Sequence, residues 1–437
     1  MVVRMRQKRH SRCRRRNAPA SLLALAAVPL MLLSACAGPG ESGGESVTST
    51  NVTNSSEGES SMQSADRTTG SSVSSGRLPN GETLPIENAA RLLGRHFYDE
   101  ESGAVYFSYT NTGFELTFTG KKLQADFVID LNSLRNKTGR PYMAVYVEDM
   151  NTPTQVFTME KQERTVTLFE SETERTVKIR VLKRSEAQSS SIGLRGFLPD
   201  EGGTLTPTQA AARRIEFLGD SYTCGYGNEG ALEDPFLTET ENGCETYAAL
   251  TARALDADMQ CISWSGIGVY SSYTESSDKP NDGFLMKDLY GWVDYAGYGR
   301  LEKEQELYDF DFWQPDVVVI NLGTNDQSYT RLAGDEARDA FGDAYSSLLD
   351  TVRKNRPDAV ILCTLGPISD EGLRLFERIE AQVAARNSAG DKKIYAMTFA
   401  ATTNEEGLGS GWHPSLKTHR RMAGELIAKL QEIMGWN

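Results

Sequence analysis

The chain has 437 residues, 39 % of them apolar, which leaves room for two domains and a tail. Its formal charge is −14, and Arg4, Arg6, Lys8, Arg9, Arg12, Arg14, Arg15 and Arg16 lie at the N-terminus, so the chain beyond them carries −22. So acidic a protein is a poor partner for nucleic acid or anionic lipid and is suited to neutral substrates.

Residues 1–36 join this basic stretch to an apolar run, Ala18 to Leu33, too short to span a bilayer comfortably. The run ends in Leu33-Ser34-Ala35-Cys36, which resembles a bacterial lipobox. The expectation is a lipoprotein signal peptide with Cys36 as the lipidated first residue, hence an exported protein anchored at the bacterial cell surface. Residues 37–82 are Ser, Gly, Thr and Glu with almost no large apolar side chains. Such a segment cannot bury enough surface to offset its chain entropy, and it reads as a disordered tether.

Over 83–207 the pattern has period two: Phe114-Glu115-Leu116-Thr117-Phe118, Tyr142-Met143-Ala144-Val145-Tyr146-Val147 and Val177-Lys178-Ile179-Arg180-Val181. Asn111-Thr112-Gly113, Thr119-Gly120 and Asn136-Lys137-Thr138-Gly139 read as turns between short strands. Alternation of this kind predicts an antiparallel β-sandwich of jelly-roll type.

Over 208–437 strand-like runs at 213–218, 259–263, 316–321, 358–364 and 393–398 alternate with amphipathic segments near 244–256, 333–355 and 371–388, and a last helix follows Pro414. Asp316-Val317-Val318-Val319-Ile320 lacks polar alternation, as a strand covered on both faces should. The pattern predicts a doubly wound, three-layer α/β/α domain, in which ligands bind beyond the carboxyl ends of the strands.

Gly219-Asp220-Ser221 follows the first of these strands and Gly323-Thr324-Asn325-Asp326 the third, while Trp412-His413-Pro414 stands near the C-terminus. A serine lifted from a strand end at a helix start presents its hydroxyl beside free backbone N–H groups. The four histidines are His10, His96, His413 and His419. His413 precedes a proline that favours extended backbone on a loop, and it is the expected base; His419 reads as a structural residue of the last helix. The expected oxyanion donors are the Ser221 N–H, the Gly266 N–H and the Asn325 amide. Cys261 and Cys363 lie in apolar strand runs and read as buried thiols, while a Cys224–Cys244 disulfide is left open. Histidines are scarce and the cysteines have no short paired spacing, so no metal or other cofactor is implied.

These blocks, Gly219-Asp220-Ser221, Gly266, Gly323-Thr324-Asn325-Asp326 and His413-Pro414, resemble those of the SGNH (GDSL) hydrolases over residues 213–425. With the preceding sandwich, Gly225-Tyr226-Gly227 and Trp264-Ser265-Gly266-Ile267-Gly268, the chain is similar to carbohydrate esterase family two. The resemblance implies deacetylation of acetylated xylan or other glycans by a Ser–His mechanism, with Ser221 as nucleophile and His413 as base. It also implies substrate contacts by Asp220 and by Trp412 as an aromatic wall. One departure stands out: the position three before the histidine, usually aspartate in SGNH enzymes, is Ser410. A backbone carbonyl, or Glu405 or Glu406, would have to orient His413. The competing readings are an SGNH lipase or lysophospholipase, and a carbohydrate-binding surface protein whose esterase site has decayed. Tyr222, Tyr226, Tyr270, Tyr273 and Trp292 are further rim aromatics that could stack on sugars.

Overall fold

A computed structural model describes residues 75–77 and 83–437. The signal peptide, Cys36 and all of the expected tether except Ser75–Arg77 lie outside the described residues; Ser75–Arg77 pairs antiparallel with Thr83–Pro85.

The N-terminal part is an antiparallel β-sandwich built on two long strands, Gly113–Val128 and Glu163–Lys183. They pair from Gly113↔Leu182 to Val128↔Glu163, with the register slipping between Gly120 and Lys122. Thr119-Gly120 is therefore not the turn its composition suggests. The strand runs through it, and the ladder absorbs the bend as a bulge, where a glycine is tolerated. Phe114, Leu116 and Phe118 from one half of the strand, and Leu123, Ala125 and Phe127 from the other, enter one core with Val177, Ile179 and Val181.

The C-terminal part is a five-stranded parallel sheet in the order Ala257–Ser263, Arg213–Gly219, Val317–Asn321, Val360–Leu365, Ile394–Thr398. Val318 and Ile320 join one core with Phe341, Leu348 and Ile379 from the helices Asp335–Asn355 and Leu375–Ser388. Val317 and Val319 join a second core with Tyr247, Ala248, Met422 and Leu426 from the helices Tyr247–Ala254 and Leu416–Met434. Each such buried side chain contributes about 1.5–3 kcal/mol, which explains a strand with no polar alternation. The amphipathic segment near 333–355 is the helix Asp335–Asn355; a further helix that the periodicity did not show, Asp326–Ala333, precedes it, and Gly334 with a φ of 85° separates the two.

Sandwich and α/β sheet belong to one compact unit. Arg95, buried in the seam, donates to the Tyr290 and Trp292 carbonyls at 2.7 and 2.6 Å and reaches Glu216 Oε1 at 3.4 Å. Glu216, on the Arg213–Gly219 strand, also takes a two-pronged bond from Arg356 and a hydroxyl from Tyr290. The sandwich segment 184–191 is wedged between the two parts: Ala187 sits in the first core of the α/β part, and Arg300 clamps the Ala187 and Gln188 carbonyls.

Candidate active site

The strand order reverses at Arg213–Gly219, whose neighbours are Ala257–Ser263 and Val317–Asn321. The turns just beyond these three carboxyl ends are tied to one another, Trp264 N–H to the Gly219 carbonyl and the Asn325 amide to Asp220 and the Ile267 carbonyl, at the edge where such sheets bind ligands. Ser221 follows the first strand, Gly266 the second and Asn325 the third.

At Ser221 the chain turns sharply into the four-residue helix Ser221–Cys224. Asp220 caps it, its side chain accepting the Tyr222 N–H at 3.0 Å, and Gly225 ends it at φ 88°. Among the described residues no acceptor takes the N–H of Ser221 or of Gly266. Gly266, three residues beyond the end of its strand, has φ 82°, a backbone that disfavours any Cβ.

His413 Nε2 lies 2.8 Å from Ser221 Oγ. The other ring nitrogen, Nδ1, lies 2.9 Å from the Gly411 carbonyl. A carbonyl only accepts, so Nδ1 carries the hydrogen and Nε2 is left to accept the serine hydroxyl. The function usually served by a carboxylate thus falls to the main chain. Gly411 and Trp412 adopt positive φ, 59° and 68°, to bring that carbonyl back onto the ring. Glu405 is exposed, and Glu406 is committed to Arg421 at 2.5 Å. Neither orients the imidazole. The ring stacks on Tyr226 at 4.1 Å between centroids and meets Tyr222 edge-on at 5.6 Å. Desolvation in this setting lowers the imidazole to about 4, against the opposing pull of the Gly411 and Ser410 carbonyls.

Asn325 Nδ2 donates to the Ile267 carbonyl at 2.8 Å and contacts Asp220 Oδ2 at 3.3 Å. Its neighbour Asp326 accepts the N–H groups of Val269, Tyr270 and Ser271 at 2.7 to 3.2 Å. Two residues of the third strand's turn therefore hold the loop that carries Gly266. The local sequence does not signal this role of Asp326, since Asp after Asn at a strand end also reads as a simple turn.

Asp220 does not face substrate as expected. It is fully buried, and its carboxylate is spent on the Tyr222 N–H and the Asn325 amide. Burial, with the Asp326 charge added, raises it to about 7. Trp412, 45 % exposed, stands at the rim beside His413. Tyr273 is exposed too and lines a cleft of about 330 Å³ with Trp264, Gly266, Asn281 and Phe284. Of the other aromatics, Tyr270 packs on Tyr329, and Trp292 lies at the seam with the sandwich, where its carbonyl accepts from Arg95. A larger cavity of about 500 Å³ opens elsewhere, beside Lys303–Asp99 and Arg195–Glu163 pairs, and holds none of these residues. Cys224 and Cys244 are separate buried thiols, as are Cys261 and Cys363. His419 is buried in the last helix, its Nδ1 accepting the Tyr247 N–H at 3.2 Å. Among the described residues no group of three or more His, Cys, Asp or Glu is arranged to hold a metal.

Residues 217–421 match the GDSL-like Lipase/Acylhydrolase family, and residues 93–208 match the Carbohydrate esterase 2 N-terminal family. The structure of a family two carbohydrate esterase from Clostridium thermocellum in complex with cellohexaose is 31 % identical, with a TM-score of 0.69, covering 80 % of this chain and 100 % of that one. The chain belongs to carbohydrate esterase family two. The family's two-part architecture, a jelly-roll-like sandwich on an SGNH domain, is the one described above. An acetyl xylan esterase from the rumen bacterium Butyrivibrio proteoclasticus shares it at 25 % identity and TM-score 0.69, over 80 % of this chain and 96 % of that one. A cellulase/esterase from Acetivibrio thermocellus is 34 % identical over 339 residues, 77 % of this chain, which spans only 39 % of that protein's length. An acetylxylan esterase / glucomannan deacetylase from Cellvibrio japonicus is 27 % identical over 79 % of this chain and 89 % of its own.

Proposed function

We propose that this family-two esterase removes O-acetyl groups from acetylated polysaccharide, with Ser221 as nucleophile and His413 as general base. The observation that carries the reading is the Ser221 Oγ–His413 Nε2 contact of 2.8 Å, with Nδ1 held by the Gly411 carbonyl. His413 Nε2 takes the hydroxyl proton as Oγ attacks the acetyl carbonyl. The carbonyl oxygen gains charge against the Ser221 N–H and the Gly266 N–H; the Asn325 amide, whose two hydrogens go to the Ile267 carbonyl and Asp220 Oδ2, joins them only by giving up the longer, 3.3 Å contact to Asp220. The imidazolium then passes its proton to the departing sugar oxygen, leaving acetyl-Ser221. Water, deprotonated by the same imidazole, releases acetate and restores the serine.

The exposed ring of Trp412 beside His413 and that of Tyr273 in the cleft with Gly266 favour a flat, hydroxyl-rich substrate over an acyl chain. The intact serine–imidazole bond favours catalysis over a decayed binding site. The Cellvibrio relative is named for xylan and glucomannan, and both are substrates to try. The test is acetate release from acetylated xylan, acetylated glucomannan and aryl esters of rising acyl length. Acetate esters should be turned over fastest, and Ser221→Ala and His413→Ala should each lose at least about 10³-fold in kcat. Activity retained in Ser221→Ala, or faster cleavage of long-chain esters, overturns the reading.

The proposal extends to location. Leu33-Ser34-Ala35-Cys36 supports a protein lipidated at Cys36 and displayed at the cell surface. Cys36→Ala should release the esterase from the membrane fraction; unchanged fractionation refutes the anchor.

A further inference from the structure

Segment 184–191 joins the sandwich strands Glu163–Lys183 and Ile192–Pro199 and enters the α/β part behind the crevice. Within it Glu186 is buried, 1 % exposed, and its Oε2 accepts the N–H of Ser265 at 3.0 Å. Ser265 and Gly266 are successive amides, the second of which is the oxyanion donor proposed above. We propose that Glu186 is a positioning residue for the esterase reaction: the sandwich supplies the carboxylate that sets the Gly266 amide.

Two features distinguish this contact from ordinary packing at the seam. First, the backbone of Glu186 is gripped on both sides. Its N–H donates to Glu241 Oε2 at 3.0 Å, and its carbonyl accepts Lys183 Nζ at 3.0 Å. Lys183 Nζ also binds the Ser185 carbonyl at 2.7 Å, so the segment is rigid where the carboxylate leaves it. Second, the Gly266 turn is already tied from the opposite side. Asn325 holds the Ile267 carbonyl, and Asp326 holds the amides of 269–271. Those bonds fix the backbone after Gly266; before it, the Trp264 N–H reaches the Gly219 carbonyl at 3.3 Å, and Glu186 holds Ser265, the amide directly preceding Gly266. Burial raises the Glu186 carboxyl above its ordinary range, as it does that of Glu241 beside it. The rise lessens the negative charge that would otherwise oppose an oxyanion one residue away.

The inference rests on the esterase reading, and the experiment separates the two. Aryl acetate hydrolysis is measured for wild type, Ser221→Ala, Glu186→Gln, Glu186→Asp and Glu186→Leu, with thermal denaturation of each. Glutamine keeps an acceptor oxygen at the same reach and should hold kcat within about threefold. Aspartate withdraws the acceptor by one methylene, leucine removes it, and each should lower kcat about 10–100-fold at nearly unchanged KM, because a misaimed donor is lost only in the transition state. A merely structural role would lower the denaturation temperature in step for all three and leave kcat of the folded fraction alone. Wild-type kcat in the aspartate or leucine variant overturns the proposal. So does a glutamine variant as impaired as leucine. If leucine fails to fold, the contrast of aspartate with glutamine decides. An inactive wild type overturns the esterase reading itself, whereas an active wild type with an inert Ser221→Ala and an insensitive Glu186 series removes only this proposal.

Discussion

Tyr226 lies face to face with the imidazole of His413, centroids 4.1 Å apart and planes 27° from parallel, and its other face is stacked on Phe236 at 4.0 Å. The stack seals one side of the ring from water. Desolvation of this kind disfavours the imidazolium and is the largest cause of the fall to about 4. A base lowered from 6.5 is neutral, and so competent, at any pH above its folded value. The acid limb of kcat/KM should therefore lie below 6.5, toward 4. Tyr226→Phe keeps the ring and should leave that limb in place. Tyr226→Ala rehydrates the imidazole and should move the limb upward by about one unit. A pH–rate profile for the three proteins checks this, and superimposed profiles refute the role given to the stack.

Asp326 holds three consecutive amides and sits next to Asn325, so one carboxylate couples two of the proposed oxyanion donors. Asp326→Ala leaves those N–H groups buried without an acceptor and frees the loop bearing Gly266. Unpaired buried groups cost about 1–3 kcal/mol each at most, and the denaturation temperature should fall accordingly. Activity should fall further than folding does, by about 10²–10³ in kcat, the usual consequence of losing an oxyanion donor. Steady-state kinetics at a temperature where the variant is folded separates the two losses.

The α/β topology was legible because a run such as Val317-Val318-Val319-Ile320 has only one comfortable home, a strand buried on both faces. The same reasoning put Ser221 and Asn325 at one rim. Asp220 was not legible, because whether a carboxylate after a strand faces solvent or caps a helix depends on what packs over it. Thr119-Gly120 misled for a related reason: composition marks a break, but only the partner strand decides between a turn and a bulge. Glu186 had no signal at all. It belongs to the other part of the molecule, and its acceptor role arises only when segment 184–191 meets Ser265. A backbone carbonyl holding His413 was legible from Ser410, which removes the usual acid, but which carbonyl serves, Gly411, depends on a turn that side-chain patterns do not encode.

The seam carries a second buried carboxylate whose charge sets acid stability. Burial works to raise Glu115, but Arg180, the Thr208 hydroxyl and Lys178 outweigh it and hold it at about 2. Arg91 spans from Glu115 to Asp258 on the α/β sheet. A carboxylate lowered on folding stabilises above its unfolded value, near 4.5, and that stabilisation is lost as the pH falls toward 2. The contribution is on the order of 2–3 kcal/mol. Glu115→Gln should therefore be less stable than wild type at neutral pH, and the difference should shrink between 4.5 and 2. Denaturant unfolding across that window checks it, and a constant difference refutes it.

Ser410 stands three residues before His413, the position named above as usually aspartate in SGNH enzymes, which invites the substitution Ser410→Asp as a restored triad. The geometry argues the opposite outcome. Ser410 is fully buried, its N–H donates to the Gly227 carbonyl at 2.9 Å, and its hydroxyl has no partner among the described residues. It is pressed against two glycines: a Cβ on Gly227 would stand 2.5 Å from the Ser410 Cβ, and one on Gly230 would stand 2.2 Å from its Oγ. A carboxylate there has neither room nor a cation, and burying it unpaired is costly. To fit, the turn 409–412 would have to lift from Gly227. The Gly411 carbonyl would then leave Nδ1, and tautomer control would be lost with it. Ser410→Asp should lower the stability by several kcal/mol and reduce kcat at least tenfold, not raise it. Gly227→Ala, which pushes on the same turn from the other side, should reproduce the kinetic defect. A gain of activity in Ser410→Asp would show that the main-chain carbonyl is a poor substitute for a carboxylate in this site.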